Sequence, residues 1–172
     1  MRTAQHTLCI VLFQCFCVFG VHCATISLSV VQNEEAPAIA LEMSQTVEDQ
    51  MFNRCFNAGH ILSNVDIRFD GSLFSTANFG IKEAAFGLSD YLIVVYLYYG
   101  PQEIQNKEMK LTYAELNTIT WRIVRVDSSK ILSEKKINVI DMKIQDADPY
   151  KQTRIITDSI CTDALNTIMT IK

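Results

Sequence analysis

Apolar positions change period several times along this chain, and each change marks an element. From Thr25 to Val31 polar and apolar residues alternate and then run fully apolar, the pattern of a first strand. The period then becomes helical. Ile39, Met43, Val47, Met51 and Cys55 recur every four residues, and Ala40, Phe52 and Phe56 widen that stripe. Pro37 suits the first turn of this helix, with Glu34 and Glu35 near its positive end, and Asn57-Ala-Gly59 closes it. His60 to Ile67 reads as a short second strand, and Arg68-Phe-Asp-Gly71 as a turn. A second helix is predicted from about Ala77 to Leu88, with Ile81, Ala84, Ala85 and Leu88 on one face and Ser75 or Thr76 as its cap.

Tyr91 to Tyr99 is aliphatic or aromatic at nearly every position, and Gly100-Pro101 ends it. It is too short to cross a membrane as a helix, and its β-branched and aromatic residues favour a strand. A strand apolar on both alternating faces is covered on both, so this is the expected central strand. Gln102 to Lys110 is charged and reads as a flexible connection. From Leu116 alternation resumes, with Ile119, Trp121 and Ile123 on one face and Thr118, Thr120, Arg122 and Val124 on the other. That register predicts Trp121 buried under a helix. Asp127-Ser-Ser-Lys130 turns the chain, and Ile131 to Ile140 returns as another strand. Asp148 caps the last helix and Pro149 takes its first position; Ile156, Ile160, Ala164, Ile168 and Ile171 form its apolar face. The order β-α-β-α-β-β-β-α, with right-handed crossovers, makes strands one to three parallel and strands three to five an antiparallel meander. The expected fold class is α/β (α+β): a mixed four- to five-stranded sheet with helices packed on it, as a single domain over residues 25–172.

Composition agrees with a packed domain: 49% of residues are hydrophobic and 20% charged, which excludes a disordered chain. The net charge is −4 and no basic patch stands out, so nucleic acid is excluded as a partner class. Residues 1–23 carry an early Arg2, an apolar middle over Leu8–Phe13 and Cys15–Phe19, and small residues at Cys23 and Ala24. That is the pattern of a secretory signal peptide cleaved after Cys23 or Ala24. Two other readings stand beside it: a membrane anchor that stays, and lipidation of Cys23. Val21-His22 fits a lipoprotein box poorly, and a strand pattern begins at Thr25 with no tether between. Signal removal takes Arg2, His6, His22 and four of the six cysteines, leaving His60, Cys55 and Cys161.

Few residues suggest chemistry. With one histidine left, no histidine-based metal cluster can form within one chain, and Cys55 and His60 across a helix end have no reason to converge. Asp141, Asp146 and Asp148 lack the glycine and terminal glutamate of a calcium loop, and there is no glycine-rich phosphate loop. Tyr91, Tyr96, Tyr98 and Tyr99 fit either a ligand platform or packing between sheet and helices. No catalytic, metal or cofactor residues are therefore assigned, and no cofactor is expected. The one pair singled out is Cys55 and Cys161. A disulfide between them requires that their helices cover the same sheet face and that their Cα atoms lie within about 7 Å; the alternative is two separate buried thiols.

Two stretches carry a resemblance. Phe79-Gly-Ile-Lys-Glu-Ala-Ala-Phe-Gly-Leu-Ser-Asp-Tyr-Leu-Ile-Val94 resembles the helix, glycine, small residue, Asp-Tyr and apolar strand signature of a bacterial envelope domain. Trp121-Arg-Ile-Val-Arg-Val-Asp-Ser-Ser-Lys-Ile-Leu132 looks like its next signature, and the long first helix ending Cys55-Phe-Asn-Ala-Gly-His-Ile61 is similar too. The domain occurs in curli-secretion channel subunits (CsgG type), lipoprotein activators of penicillin-binding proteins (LpoB type) and the amino-terminal domain of TolB. Ser128-Ser129 stands where that domain has a Thr-Gly turn. No insertion is long and alternating enough for a transmembrane barrel hairpin, which argues against a channel subunit. The resemblance implies a non-enzymatic periplasmic module that binds an envelope protein or assists assembly, as a homo-oligomer or not, with membrane association only through a lipidated Cys23. The contrasting expectation is a small secreted hydrolase using carboxylates, for example Glu34 or Glu35 with Asp66 or Asp70.

Overall fold

The computed structural model describes residues 23–144, 146 and 148–170. The elements are β1 (Thr25–Gln32), α1 (Ala40–Asn57), β2 (Ile61–Arg68), α2 (Ser72–Ser75), α3 (Ile81–Phe86), β3 (Tyr91–Asn106), β4 (Leu111–Arg125), β5 (Lys130–Asn138), a 3₁₀ turn (Val139–Met142) and α4 (Pro149–Thr170). The five strands form one mixed sheet in the order β2-β1-β3-β4-β5. β1 pairs in parallel with both β2 and β3, whereas β3–β4 and β4–β5 are antiparallel. The expected α/β class, the parallel start and the antiparallel meander are all present.

Both sheet faces are covered, but unequally. Ile26, Leu28 and Val30 of β1, Ile93, Val95 and Leu97 of β3, and Ile119, Trp121 and Ile123 of β4 face α1 and α4. The alternate residues Val31, Leu92, Val94 and Val124 face the short α2 and α3, with Phe74, Ile81 and Ala84 above them. The first half of β3 thus reads as a continuous apolar run because both of its faces are dry, whereas β1 alternates, its Ser27 and Ser29 buried on the second face and Ser27 Oγ bonded to Ser63 and Ser89. Ile156, Ile160, Ala164 and Ile168 of α4 are buried as the helical period requires. Each isoleucine on this face contributes about 1.5–3 kcal/mol by leaving water. Asp148 caps α4, its Oδ1 accepting from the Tyr150 N–H at 2.9 Å.

Under α2, Arg122 is buried. Its guanidinium lies 4.6 Å from the Phe74 ring centroid, Nε donates to Glu134 at 2.6 Å, and Nη1 donates to the Thr76 carbonyl at 3.2 Å. A buried charge persists when its donors are matched in this way.

Several expectations are corrected. The helix predicted over Ala77–Leu88 is shorter, running only over Ile81–Phe86, because Gly80 has φ of 75°, a left-handed conformation that a helix cannot contain, and the separate α2 precedes the predicted range. Neither Ser75 nor Thr76 caps α3: Ser75 ends α2, and Gly80 stands at the α3 N-cap. α1 starts at Ala40, so Pro37 lies in the preceding turn, where its carbonyl accepts from Ala40 N–H at 2.9 Å. Phe56 does not widen the buried stripe; it is 67% exposed in the last turn of α1. Gln102 to Lys110 is no flexible connection. β3 runs through to Asn106 and β4 resumes at Leu111, with the two paired. A backbone ladder tolerates charged side chains wherever they reach water, as exposed Glu103 does here. The expected apolar position Ile171 lies outside the described residues. So do residues 1–22, on which the signal-peptide reading falls.

Candidate functional site

β3 and β4 are longer than their neighbours. β1 accompanies β3 only to Leu97, and β5 accompanies β4 only as far as Thr118. Beyond these points the two strands continue alone as a ribbon that closes at Asn106 and Leu111. At Asn138 the chain leaves the sheet for the 3₁₀ turn, so among the described residues β4 carries no strand partner on its outer side from Leu111 to Asn117. An open groove of about 570 Å³ lies there. Ile104 and Tyr113 of the ribbon, Val139 and Ile140 of the 3₁₀ turn, and Gln152 and Ile156 of α4 are among its walls. Ile140 is 85% exposed, far more than an aliphatic side chain of a packed turn. The charged residues of the lining are Glu115 and Lys143, of opposite sign, so the groove has no strong field of its own.

The ribbon leaves the sheet through an irregularity with a clear cause. Between Tyr99 and Glu103 the register shifts, so that Gly100, Pro101 and Gln102 interrupt the ladder opposite Glu115. Pro101 has no N–H to give. Asn33, just past β1, bridges the break with its side chain: Oδ1 accepts from Tyr99 N–H at 2.8 Å and Nδ2 donates to the Tyr99 carbonyl at 3.1 Å. The amide acts as one more ladder residue of β1. The Tyr99 ring is fully buried beneath, its hydroxyl 3.2 Å from Ser44 Oγ, and burial pushes its phenol far above the usual range. Sequence reasoning missed this assembly. Asn33 was placed in the approach to α1, and Ile104 and Tyr113 in or beside a supposed connection. The alternation Leu111, Tyr113 before Leu116 was the one available signal of a longer β4.

The other residues singled out from the sequence do not gather there. Glu34, Glu35 and Asp66 are exposed, and Asp70 accepts from Ser72 N–H at 2.8 Å at the start of α2. None of the four lines the groove. Asp141 accepts from Asn138 Nδ2, and Asp146 from the Asp148 N–H, at 2.9 Å each. No group of acidic, histidine or cysteine side chains suited to a metal occurs among the described residues. The tyrosines divide by strand parity. Tyr91 and Tyr99 belong to the core under α1 and α4, whereas Tyr96 stacks on Phe74 across the sheet and Tyr98 is partly exposed. They form no common platform. Trp121 is buried in the expected register. Cys23 is exposed at the head of β1, while Cys55 and Cys161 are both buried.

His60 follows the C-terminus of α1, a position that by itself favours a protonated ring; here it is buried, and desolvation pulls its imidazole below the ordinary range. Its Nδ1 accepts from the Ala24 N–H at 3.2 Å, which requires the unprotonated nitrogen. The unfolded chain therefore takes up the proton first as pH falls. Stability linked to His60 is present above the unfolded value of about 6.5 and is lost as pH drops through it toward the lower folded value. Urea titrations from pH 7.5 to 5 should show this loss, and His60→Gln should flatten the slope over that interval. An unchanged slope in the variant would assign the loss to other groups.

A family model described as "Uncharacterised protein" matches residues 25–169. No curated protein sequence matches the chain. Among solved structures, the chain resembles a lipoprotein from Neisseria meningitidis, at 8% identity and a TM-score of 0.46, over 83% of this chain and 99% of that one. It also resembles TolB from Acinetobacter baumannii, at 11% identity and 0.44, over 87% of this chain and 30% of that one. A PelC dodecamer from Paraburkholderia phytofirmans matches at 6% identity and 0.42, over 84% and 88%. At these identities and scores the likenesses carry no functional argument. Among the described residues no helix is long and apolar enough to cross a membrane.

Proposed function

We propose that this chain, which belongs to the family described as "Uncharacterised protein", is a non-enzymatic protein-binding or assembly module of the bacterial cell envelope, working in the periplasm after export. One observation carries the reading: the outer edge of β4 from Leu111 to Asn117 has no strand partner among the described residues and opens onto the groove beside Tyr113 and Ile140. An extended segment of a partner protein can continue the sheet where β5 leaves off. Its main chain would take the free N–H and C=O groups, and alternate side chains would enter the groove. The envelope setting is supported by the leader pattern of residues 1–23 and by the signature stretches Phe79–Val94 and Trp121–Leu132.

A carboxylate hydrolase needs two acids converging in an enclosed site. The acids it would use, Glu34, Glu35, Asp66 and Asp70, lie outside the groove, and the groove wall offers Glu115 alone. A lipid on Cys23 would hold the domain against the membrane without slack, because Ala24 is already buried and bonded to His60. That geometry favours a module released by cleavage at Cys23 or Ala24.

A photo-crosslinking residue placed at Tyr113 or Ile140 tests the reading in intact cells. Both positions should give the same discrete adduct, and a crosslinker at Asp66, on the opposite edge strand, should not. An adduct of two copies of this chain would make the partner a second copy. No adduct from the groove, or the same adducts from Asp66, would sink the proposal. Mass spectrometry of the isolated protein should find an amino terminus at Ala24 or Thr25.

A further inference from the structure

α1 and α4 lie side by side on one face of the sheet, and their contact is fixed by polar bonds near the end of α1. Gln50 Nε2 donates to Asp158 Oδ1 at 2.7 Å, and Arg54 Nε meets the same oxygen at 2.9 Å. Cys55 follows Arg54 directly, and Cys161 lies three residues, about one helical turn, beyond Asp158. The polar bonds therefore bring the two cysteines to the same level of the helix pair. Cys55 is 0% exposed and Cys161 1%, so both thiols are shut away from solvent at the level where the two helices meet.

We propose that Cys55 and Cys161 are a built cross-linking site: a dithiol that a disulfide oxidant converts to an α1–α4 disulfide. The inference rests on helix geometry and not on the envelope reading. The neighbouring Cys55 and burial hold the Cys161 thiol up. Cys55, two residues from the end of α1, lies nearer a helix end than Cys161 and is the attacking group. Its thiolate attacks the oxidant's S–S bond, forming a mixed disulfide and releasing one thiolate. Cys161 then loses its proton and attacks the Cys55 sulfur, releasing the second thiol. Two protein thiols and one disulfide become one protein disulfide and two thiols. Cys55 sits in the last turns of α1, which ends at Asn57, so fraying of that end gives the oxidant its access. The bond closes a loop of roughly a hundred residues, the long-loop case in which a cross-link restricts the unfolded chain most.

Trypsin separates the two sites cleanly, placing Cys55 at the head of the Cys55–Arg68 peptide and Cys161 in Ile155–Lys172. The full chain is purified reduced, exchanged with oxidised glutathione, alkylated and digested. The expected product is the two peptides joined, lighter than their sum by two hydrogens, with melting raised by roughly 10 °C over the reduced protein. Cys55→Ala and Cys161→Ala should each abolish both the linked peptide and the oxidation-dependent shift. Two alkylated cysteines, or a separate glutathione adduct on each, would overturn the proposal, as would pairing of either with Cys23. Free thiols in protein isolated from cells, alongside the linked peptide after exchange in vitro, would count against the oxidising location alone and leave the cross-linking site in place.

Discussion

Trp121→Ala should lower the free energy of unfolding by about 3–5 kcal/mol, the usual cost of emptying a large aromatic site in a packed core. Trp121 is 5% exposed, opposite Val95 of β3 and Lys135 of β5 and beneath α4. Its indole N–H donates to Asp163 Oδ2 at 3.0 Å, and Asp163 also receives Lys135 Nζ. The ring therefore ties the sheet to the last helix through one carboxylate. Trp121→Phe keeps most of the apolar contact and loses the hydrogen bond, so it should cost distinctly less. Equilibrium urea unfolding followed by circular dichroism measures both. A cost below about 1 kcal/mol for the alanine variant would mean that the site is solvated or collapses freely. Trp121 is the only tryptophan, so native emission reports its surroundings directly and should be blue-shifted from that of free indole.

Asn33→Ala should cost about 2–5 kcal/mol and should loosen the ribbon more than the rest of the sheet. The substitution leaves both the N–H and the carbonyl of buried Tyr99 without their partners, at about 1–3 kcal/mol for each orphaned group. Asn33→Asp is the informative companion. It keeps an acceptor for the Tyr99 N–H but turns a carboxylate toward the Tyr99 carbonyl, so it should not restore stability. Amide hydrogen exchange should accelerate at Tyr99 and along Glu103–Asn106 while the β1–β3 ladder up to Leu97 stays protected. Because the ribbon forms one wall of the groove, crosslinking from Tyr113 should fall in parallel. A uniform rise in exchange across the sheet would show that Asn33 supports the whole fold and not the ribbon in particular.

The parts of this molecule that were legible in its sequence are those where one segment meets one environment. The first half of β3 is apolar at consecutive positions because both faces are covered, and that pattern survives without knowledge of what covers them; β1 shows itself by alternation instead. α1 and α4 show their buried stripes through helical period, and Asp148-Pro149 announces the start of α4. The Trp121 register followed from alternation alone. Where the reading failed, a local backbone state overruled the side chains. Gly80 at positive φ held back to Ile81 the start of a helix read from Ala77, and the ribbon formed from a charged stretch because its backbone ladder accepts any side chains that reach water.

What the sequence determined by itself is the class of fold, the order of its strands and helices and the positions that must be dry, since these depend on period and polarity within a window of a few residues. Only the tertiary structure decided which helices share a face and which strand edge stays open. It also decided which atoms meet across long separations: Asn33 with Tyr99, Gln50 and Arg54 with Asp158, Trp121 with Asp163. Those contacts join residues far apart in the chain, and no periodicity encodes them. They exist because the β1–α1–β2 crossover and the chain leaving β5 lay α1 and α4 on one side of the sheet, and because β1 ends beside Leu97, where Asn33 takes over the ladder to Tyr99.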